Sequence, residues 1–210
     1  MVHCLQVKRE GGAKMNGKKE KKNQNVIKEG NLTYEDYASM NDQKRYELVN
    51  GKLELMSPSP SVIHQLVSAE IYNQLSFTCR SNFFIFYAPI DVILSQTEVR
   101  QPDIALVSQK RIDILTNRGI EGAPDLVIEI ISPSSLKRDK IDKLAVYANY
   151  NISEYWIVDP NIGALEQYIL KNNRYELADI FQNNDPVTSP HISCVSFTMN
   201  KVMEGIPDIN

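Results

Sequence analysis

The chain has 210 residues, 42% of them hydrophobic and 23% charged, with a formal net charge of −3. That is long enough for one domain with a substantial core, and no apolar run approaches the roughly 20 residues of a membrane span. The charge is unevenly spread: residues 1–30 hold 8 Lys/Arg against 3 Asp/Glu, whereas the remaining 180 hold 15 against 23. An acidic body excludes a broad basic field for nucleic acid, so any contact with phosphate must be local.

The first ten residues, MVHCLQVKRE, contain no apolar segment of the kind that heads a secretory signal. Cys4, Cys79 and Cys194 are odd in number, widely spaced and form no CxxC pair. They read as free thiols in a reducing compartment, and a cytoplasmic location is expected. Residues 1–30, rich in Lys, Asn and Gly, read as a disordered basic extension. Ordered structure is expected over residues 31–200 as a single domain, with a fraying tail over 201–210.

In chain order, NLTYEDYASM opens a short helix at Thr33, with Glu35 and Asp36 in its first turn. RYELVNGKLELM has two alternating segments around Asn50-Gly51, a pair suited to a type I′ hairpin, and Pro58 and Pro60 close the second strand. Residues 61–78 have helical spacing with Ile63, Leu66, Val67 and Ile71 on one side. Glu70 falls near the centre of that stripe. It suits either a structural pair or a second metal- or water-contacting group. The run FFIFYAPIDVILS reads as one long strand bent at Pro89. IALVS at 104–108 and LVIEIIS at 126–132 are further strands, the latter apolar on both faces as in a covered sheet. LKRDKIDKLAVYANY is a helix ending near Asn151, and EYWIVDP another strand. ALEQYIL and RYELADI form a second hairpin about Asn172-Asn173, and a last strand is expected within 189–198. The order implies a mixed α/β architecture with helices on both faces of a central sheet. No GxGxxG or GxxxxGK[ST] motif is present, so nucleotide-dependent chemistry has no support.

The chemistry lies in two acids. On a strand, Asp125, Val127, Glu129 and Ile131 share a face, so Glu129 is a carboxylate among apolar neighbours and needs a partner or a metal. Asp103, just after Pro102, stands where another strand enters the sheet. If the strands are neighbours, a divalent cation would relieve the repulsion between the two carboxylates. Asp139 and Lys143 have the spacing of an ordinary i,i+4 ion pair. His64 reads as a packing histidine, and Trp156 with its neighbouring tyrosines as packing and interface residues.

The residues PD at 102–103, PDLVIEIISPSS, Asp139, Lys143, Tyr147, EYWIVDP and the upstream YELVNGKLELM resemble, in order and spacing, the Uma family of putative restriction endonucleases, within the PD-(D/E)XK nuclease superfamily. The resemblance runs from about Thr33 to about Ile169. It implies a restriction-endonuclease-like core, cleavage of DNA with Mg²⁺ (or Mn²⁺) as cofactor, and a homodimer. The EYWIV strand and the carboxy-terminal hairpin are candidate interface elements. It matches Asp103 and Glu129 to the metal-binding acids. The superfamily lysine would stand two residues after Glu129, where this chain has Ile131. In the Uma pattern it comes from the following helix, which means Lys143, with Lys140 as a fallback. Glu47 is carried by the family pattern and Glu70 by helix geometry as supporting groups. The competing reading is a nuclease fold that binds nucleic acid or protein without cutting, favoured by the loss of lysine at 131 and the acidic body.

Overall fold

Local sequence sets the first elements. Asn50 and Gly51 both take positive φ, 49° and 73°, as a type I′ turn requires. They join β1 (Tyr46–Val49) to β2 (Lys52–Leu55), paired from Tyr46↔Leu55 to Val49↔Lys52. Upstream, α1 (Tyr34–Ala38) opens with a capping box in which Thr33 and Asp36 satisfy each other's backbone amides. The computed structural model describes residues 30–42, 44–56, 59–132 and 135–208, so the basic extension expected over 1–30 lies almost wholly outside the described residues.

The long helix α2 (Val62–Cys79) starts at Ser61, whose side chain accepts from the His64 amide. The run 83–95 is not one bent strand but two strands in different sheets, β3 (Phe83–Tyr87) and β4 (Val92–Ser95). Pro89 has no amide to offer a ladder, and the chain crosses between sheets there. Next come β5 (Glu98–Arg100), β6 (Ile104–Ser108), a 3₁₀ turn (Gln109–Ile114), β7 (Leu115–Thr116), β8 (Gly119–Glu121) and β9 (Leu126–Ile130). The expected single helix after β9 is α-helical at 136–137, then makes a π-helical turn, Arg138–Asp142, before α3 (Lys143–Asn149). Then come β10 (Glu154–Asp159), β11 (Ala164–Lys171), β12 (Arg174–Gln182), β13 (Pro186–Val187), β14 (Phe197–Thr198) and α4 (Met199–Met203). Asn172 and Asn173 turn the β11–β12 hairpin with φ of 49° and 62°. The last strand is thus only two residues of the 189–198 segment, and the tail expected to fray from 201 instead continues α4, with Val202 buried.

Two six-stranded mixed sheets result, in the orders β2-β1-β5-β4-β8-β7 and β12-β11-β10-β9-β6-β3. In the second sheet β9 and β10 are parallel and the other neighbours antiparallel. Side-chain alternation along β9 divides the core. Leu126, Ile128 and Ile130 pack with Val67, Ile71 and Leu75 of α2, while Val127 and Ile131 pack with Tyr147 of α3. Tyr155, Trp156 and Ile157 are wholly inside these cores, so the EYWIV strand is a central element and not an interface.

Cys79 and Cys194 form a disulfide, with 5.1 Å between their α-carbons. This corrects the free-thiol reading for both and removes their support for a reducing compartment; Cys4 lies outside the described residues. Positions 115 residues apart carry no local signal of pairing. Among the described residues no helix is long and apolar enough to cross a membrane.

Candidate active site

Glu129 is the centre of the site. It is 4% exposed, on the face of β9 that looks toward α3. Lys143 Nζ donates to its Oε1 at 2.7 Å, and the Tyr147 hydroxyl donates to the same oxygen at 3.0 Å. Lys143 and Tyr147 are four residues apart on α3, so one face of the helix delivers both donors. The ammonium lies 3.5 Å from Asp139 and 3.7 Å from Glu47 as well. Asp139 and Lys143 are each 2% exposed, so theirs is not a surface ion pair.

Glu47 arrives from β1 and is 1% exposed. Its carboxylate accepts from the Gln101 amide at 3.0 Å and pairs with Arg100 at 3.4 Å. Arg100 also holds Glu98 at 2.6 Å, and Glu98 caps the Asn50 amide at the hairpin turn. The β1–β5 register, Leu48↔Val99, sets Glu47 opposite Arg100. Arg100 and Glu98 escape a reading of the sequence because E-x-R looks like any alternating strand. Only the pairing of β5 with YELV reveals them.

Asp103 sits in the bend before β6. Extending the β6–β9 register by one step, from Ile104↔Ile128, sets it opposite Glu129. Its carboxylate turns toward α2, however. Oδ2 accepts from the Ile130 amide at 2.8 Å and lies 3.1 Å from His64 Nε2. The two acids are therefore tethered from different layers, Asp103 through α2 and Glu129 through α3. Both, with Lys143, line one cleft of about 650 Å³. His64 lines it too, so it is an ion-pair partner rather than simple packing.

Two candidates lie elsewhere. Glu70 lies beside Gly205, where an added β-carbon would be 3.8 Å from the Glu70 carboxyl carbon, and it does not line the cleft. The buried stripe of α2 runs through Val67, Ile71, Leu75 and Cys79, which leaves Glu70 half-buried toward α4. Lys140 is paired with Glu166 of β11 at 2.6 Å, away from Glu129. Asp125 caps the Ser108 amide and pairs with Arg111, a turn function.

Among the described residues the network joins four buried carboxyl groups, on Glu47, Glu98, Glu129 and Asp139, to two buried cations, Arg100 and Lys143, and to the half-buried Arg138, 3.9 Å from Asp139. Burial, reinforced by Asp139, Asp103 and Glu47, pushes the Glu129 carboxyl up to about 8 against the pull of Lys143. Burial would raise Glu47 as well, but Lys143, Arg100 and the Gln101 amide hold it below its ordinary value. Lys143, though desolvated, is held above its ordinary value by Glu129, Glu47 and Asp139 and stays charged. Among the described residues no group of three or more His, Cys, Asp or Glu side chains is arranged to hold a metal by itself. Magnesium needs less, one or two carboxylates completed by water and substrate oxygens. The residues fit that demand: both bonds to Asp103 fall on Oδ2, Asp139 Oδ1 is buried and held only by ion pairs with Lys143 and Arg138 among the described residues, and the donors are hard oxygens.

A solved structure agrees with this architecture. A crystal structure of a putative nuclease belonging to DUF820 from Anabaena variabilis ATCC 29413 superposes with a TM-score of 0.66 at 18% identity, covering 82% of this chain and 98% of that one. The type IIG restriction endonuclease BpuSI matches at a TM-score of 0.41 and 16% identity, over 71% of this chain and 17% of that one. No curated protein matches the sequence. The profile of Uma2, described as putative restriction endonuclease, matches residues 33–200, and the chain belongs to that family.

Proposed function

We propose that the protein is a metal-dependent endonuclease that hydrolyses DNA phosphodiester bonds, with Asp103 and Glu129 holding Mg²⁺, or Mn²⁺ in its place. The observation that carries this reading is the crowding of acids: four carboxyl groups share Arg100, Lys143 and the half-buried Arg138 beside the cleft that Asp103 also lines. When bound, a divalent ion polarises the phosphoryl oxygen and lowers the pKa of a bound water. The protein's own groups do the rest. Lys143, charged and fixed against Glu129, offers an ammonium to the charge that develops on the scissile phosphate. Glu47 sets the position of that ammonium from the far side, and Tyr147 fixes the Glu129 carboxylate. Lys140 and Glu70 have no part in the site. A homodimer, giving one site per strand of a duplex, would use the free edge of β12, where Leu177 and Ile180 are exposed.

Nicking of supercoiled plasmid with Mg²⁺ or Mn²⁺ tests the proposal. Glu129→Gln and Asp103→Asn, checked for fold by circular dichroism, should each lower the rate by about 10³-fold, the equivalent of several kcal/mol of barrier. Ile131 in place of the superfamily lysine favours the competing reading, a fold that binds without cutting. Wild-type protein that binds DNA but cuts nothing with any divalent ion would decide for it.

A further inference from the structure

The imidazole of His64 lines the cleft and is paired with Asp103. Nε2 lies 3.1 Å from Asp103 Oδ2, and Nδ1 is buried without a hydrogen bond. A histidine kept for its own packing normally satisfies both nitrogens. Here the ring's side-chain hydrogen bond is to Asp103, and the Ile130 backbone also acts on the ring. An ionised carboxylate can only accept, so Nε2 carries the proton and donates. The Ile130 amide donates to the same oxygen at 2.8 Å. Both donors therefore grip Oδ2, and Oδ1 keeps its lone pairs free of any protein donor among the described residues. The grip joins two layers: Ile130 belongs to the strand that carries Glu129, while His64 comes from the first turn of α2, where Ser61 caps its amide. Asp103 itself lies in a bend outside any strand, so the ladder does not fix its side chain.

We infer that His64 is a positioning residue: its Nε2–H, paired with the Ile130 amide, locks the rotamer of Asp103 so that the ungripped oxygen is presented to a divalent cation. The inference rests on the metal-binding reading of the cleft. It differs from that reading in assigning the orientation of Asp103 to α2, an element that contributes no ligand. A glutamine at 64 places an amide N–H at the position of Nε2, whereas phenylalanine keeps the ring and removes the donor.

The test is titration of the full chain with Mn²⁺ by isothermal calorimetry, alongside plasmid nicking. In His64→Phe, with unchanged circular dichroism and melting temperature, Mn²⁺ affinity should fall by about 10- to 100-fold, as for other groups that orient a metal ligand. The KM for DNA should stay unchanged at saturating Mn²⁺. His64→Gln should recover most of the lost affinity. Unchanged affinity in His64→Phe, or a glutamine variant as weak as the phenylalanine one, overturns the inference while leaving the metal reading intact. Wild-type protein that takes up no Mn²⁺ overturns both.

Discussion

Replacing Lys143 by Met removes the cation that three buried carboxylates share. The methionine stem is nearly as long as the lysine's, so the change deletes charge more than volume. Glu129 then loses its cation at 2.7 Å, while Asp139 and Glu47 lose contacts at 3.5 and 3.7 Å and keep Arg138 and Arg100. Breaking a buried pair by removing one partner costs about 3–5 kcal/mol. That is about a fifth or more of the roughly 5–15 kcal/mol that holds a domain together. For a chain of this length it corresponds to a drop in melting temperature of roughly 6–20 °C. The loss should depend on pH. Glu129 already favours its proton, with its carboxyl up at about 8, and without Lys143 it favours it more. A protonated Glu129 needs no cation, so the deficit should be smaller at pH 5 than at pH 8.5. Urea denaturation at the two pH values reads both effects. Adding Glu129→Gln to the Lys143→Met protein should recover part of the loss at pH 8.5. A deficit under 1 kcal/mol, equal at both pH values, would refute a buried cation shared among the three acids.

The raised carboxyl and the disulfide each make a further outcome measurable. Because Glu129 titrates at about 8 in the metal-free protein and must be ionised to bind a cation, Mn²⁺ uptake should release about one proton below that pH. Affinity should then rise about tenfold per pH unit up to 8 and level off above it; calorimetry in buffers of different ionisation enthalpy measures the release, and Glu129→Gln should abolish the slope. For the metal-free protein the sign is opposite. The folded state holds the Glu129 proton to higher pH than the unfolded chain does, so this group's contribution to stability falls as pH rises from about 4.5 to 8. The Cys79–Cys194 bond closes a span of 115 residues, so Cys79→Ser should lower stability by about 2–5 kcal/mol in urea melts, and both thiols should resist alkylation until reductant is added.

How much of the fold and site is legible in the sequence depends on whether the information is local. The hairpins at Asn50-Gly51 and Asn172-Asn173 are legible because two side chains carry the whole instruction for a turn. Glu129 is legible because an acid amid Val and Ile contradicts its own strand. Asp103 and Glu129 line one cleft, yet the turn of Asp103 toward His64 is hidden, since it depends on where α2 crosses the strand ends. Arg100 and Glu98 are hidden for the same reason: β5 succeeds β4 in the chain, but its other neighbour is β1, some 50 residues earlier. The break at Pro89 is visible, but not its consequence, because nothing local distinguishes a bent strand from a change of sheet. Glu70 shows the reverse error. A helical wheel gives the stripe, and only the packing of α4 shows which end of it meets the site.

The choice between Lys143 and Lys140 turns on one residue of helix geometry. In an unbroken α-helix the two lysines would stand about 60° apart on one edge, and either could reach the strand. The chain instead makes a π-helical turn between them, with the Lys143 amide bonded to the Arg138 carbonyl five residues back. One extra residue in a turn rotates the downstream helix by about 100° relative to the upstream one. Lys140, inside the turn, goes to Glu166 on β11, while Lys143, after it, goes with Tyr147 to Glu129. Ile131, two residues after Glu129, lies on the same face of the chain and packs beside Tyr147. The ammonium that meets Glu129 thus comes from the helix above the strand. The π turn sets that approach, since its added residue rotates by about 100° the face of α3 that brings Lys143 and Tyr147 to Glu129.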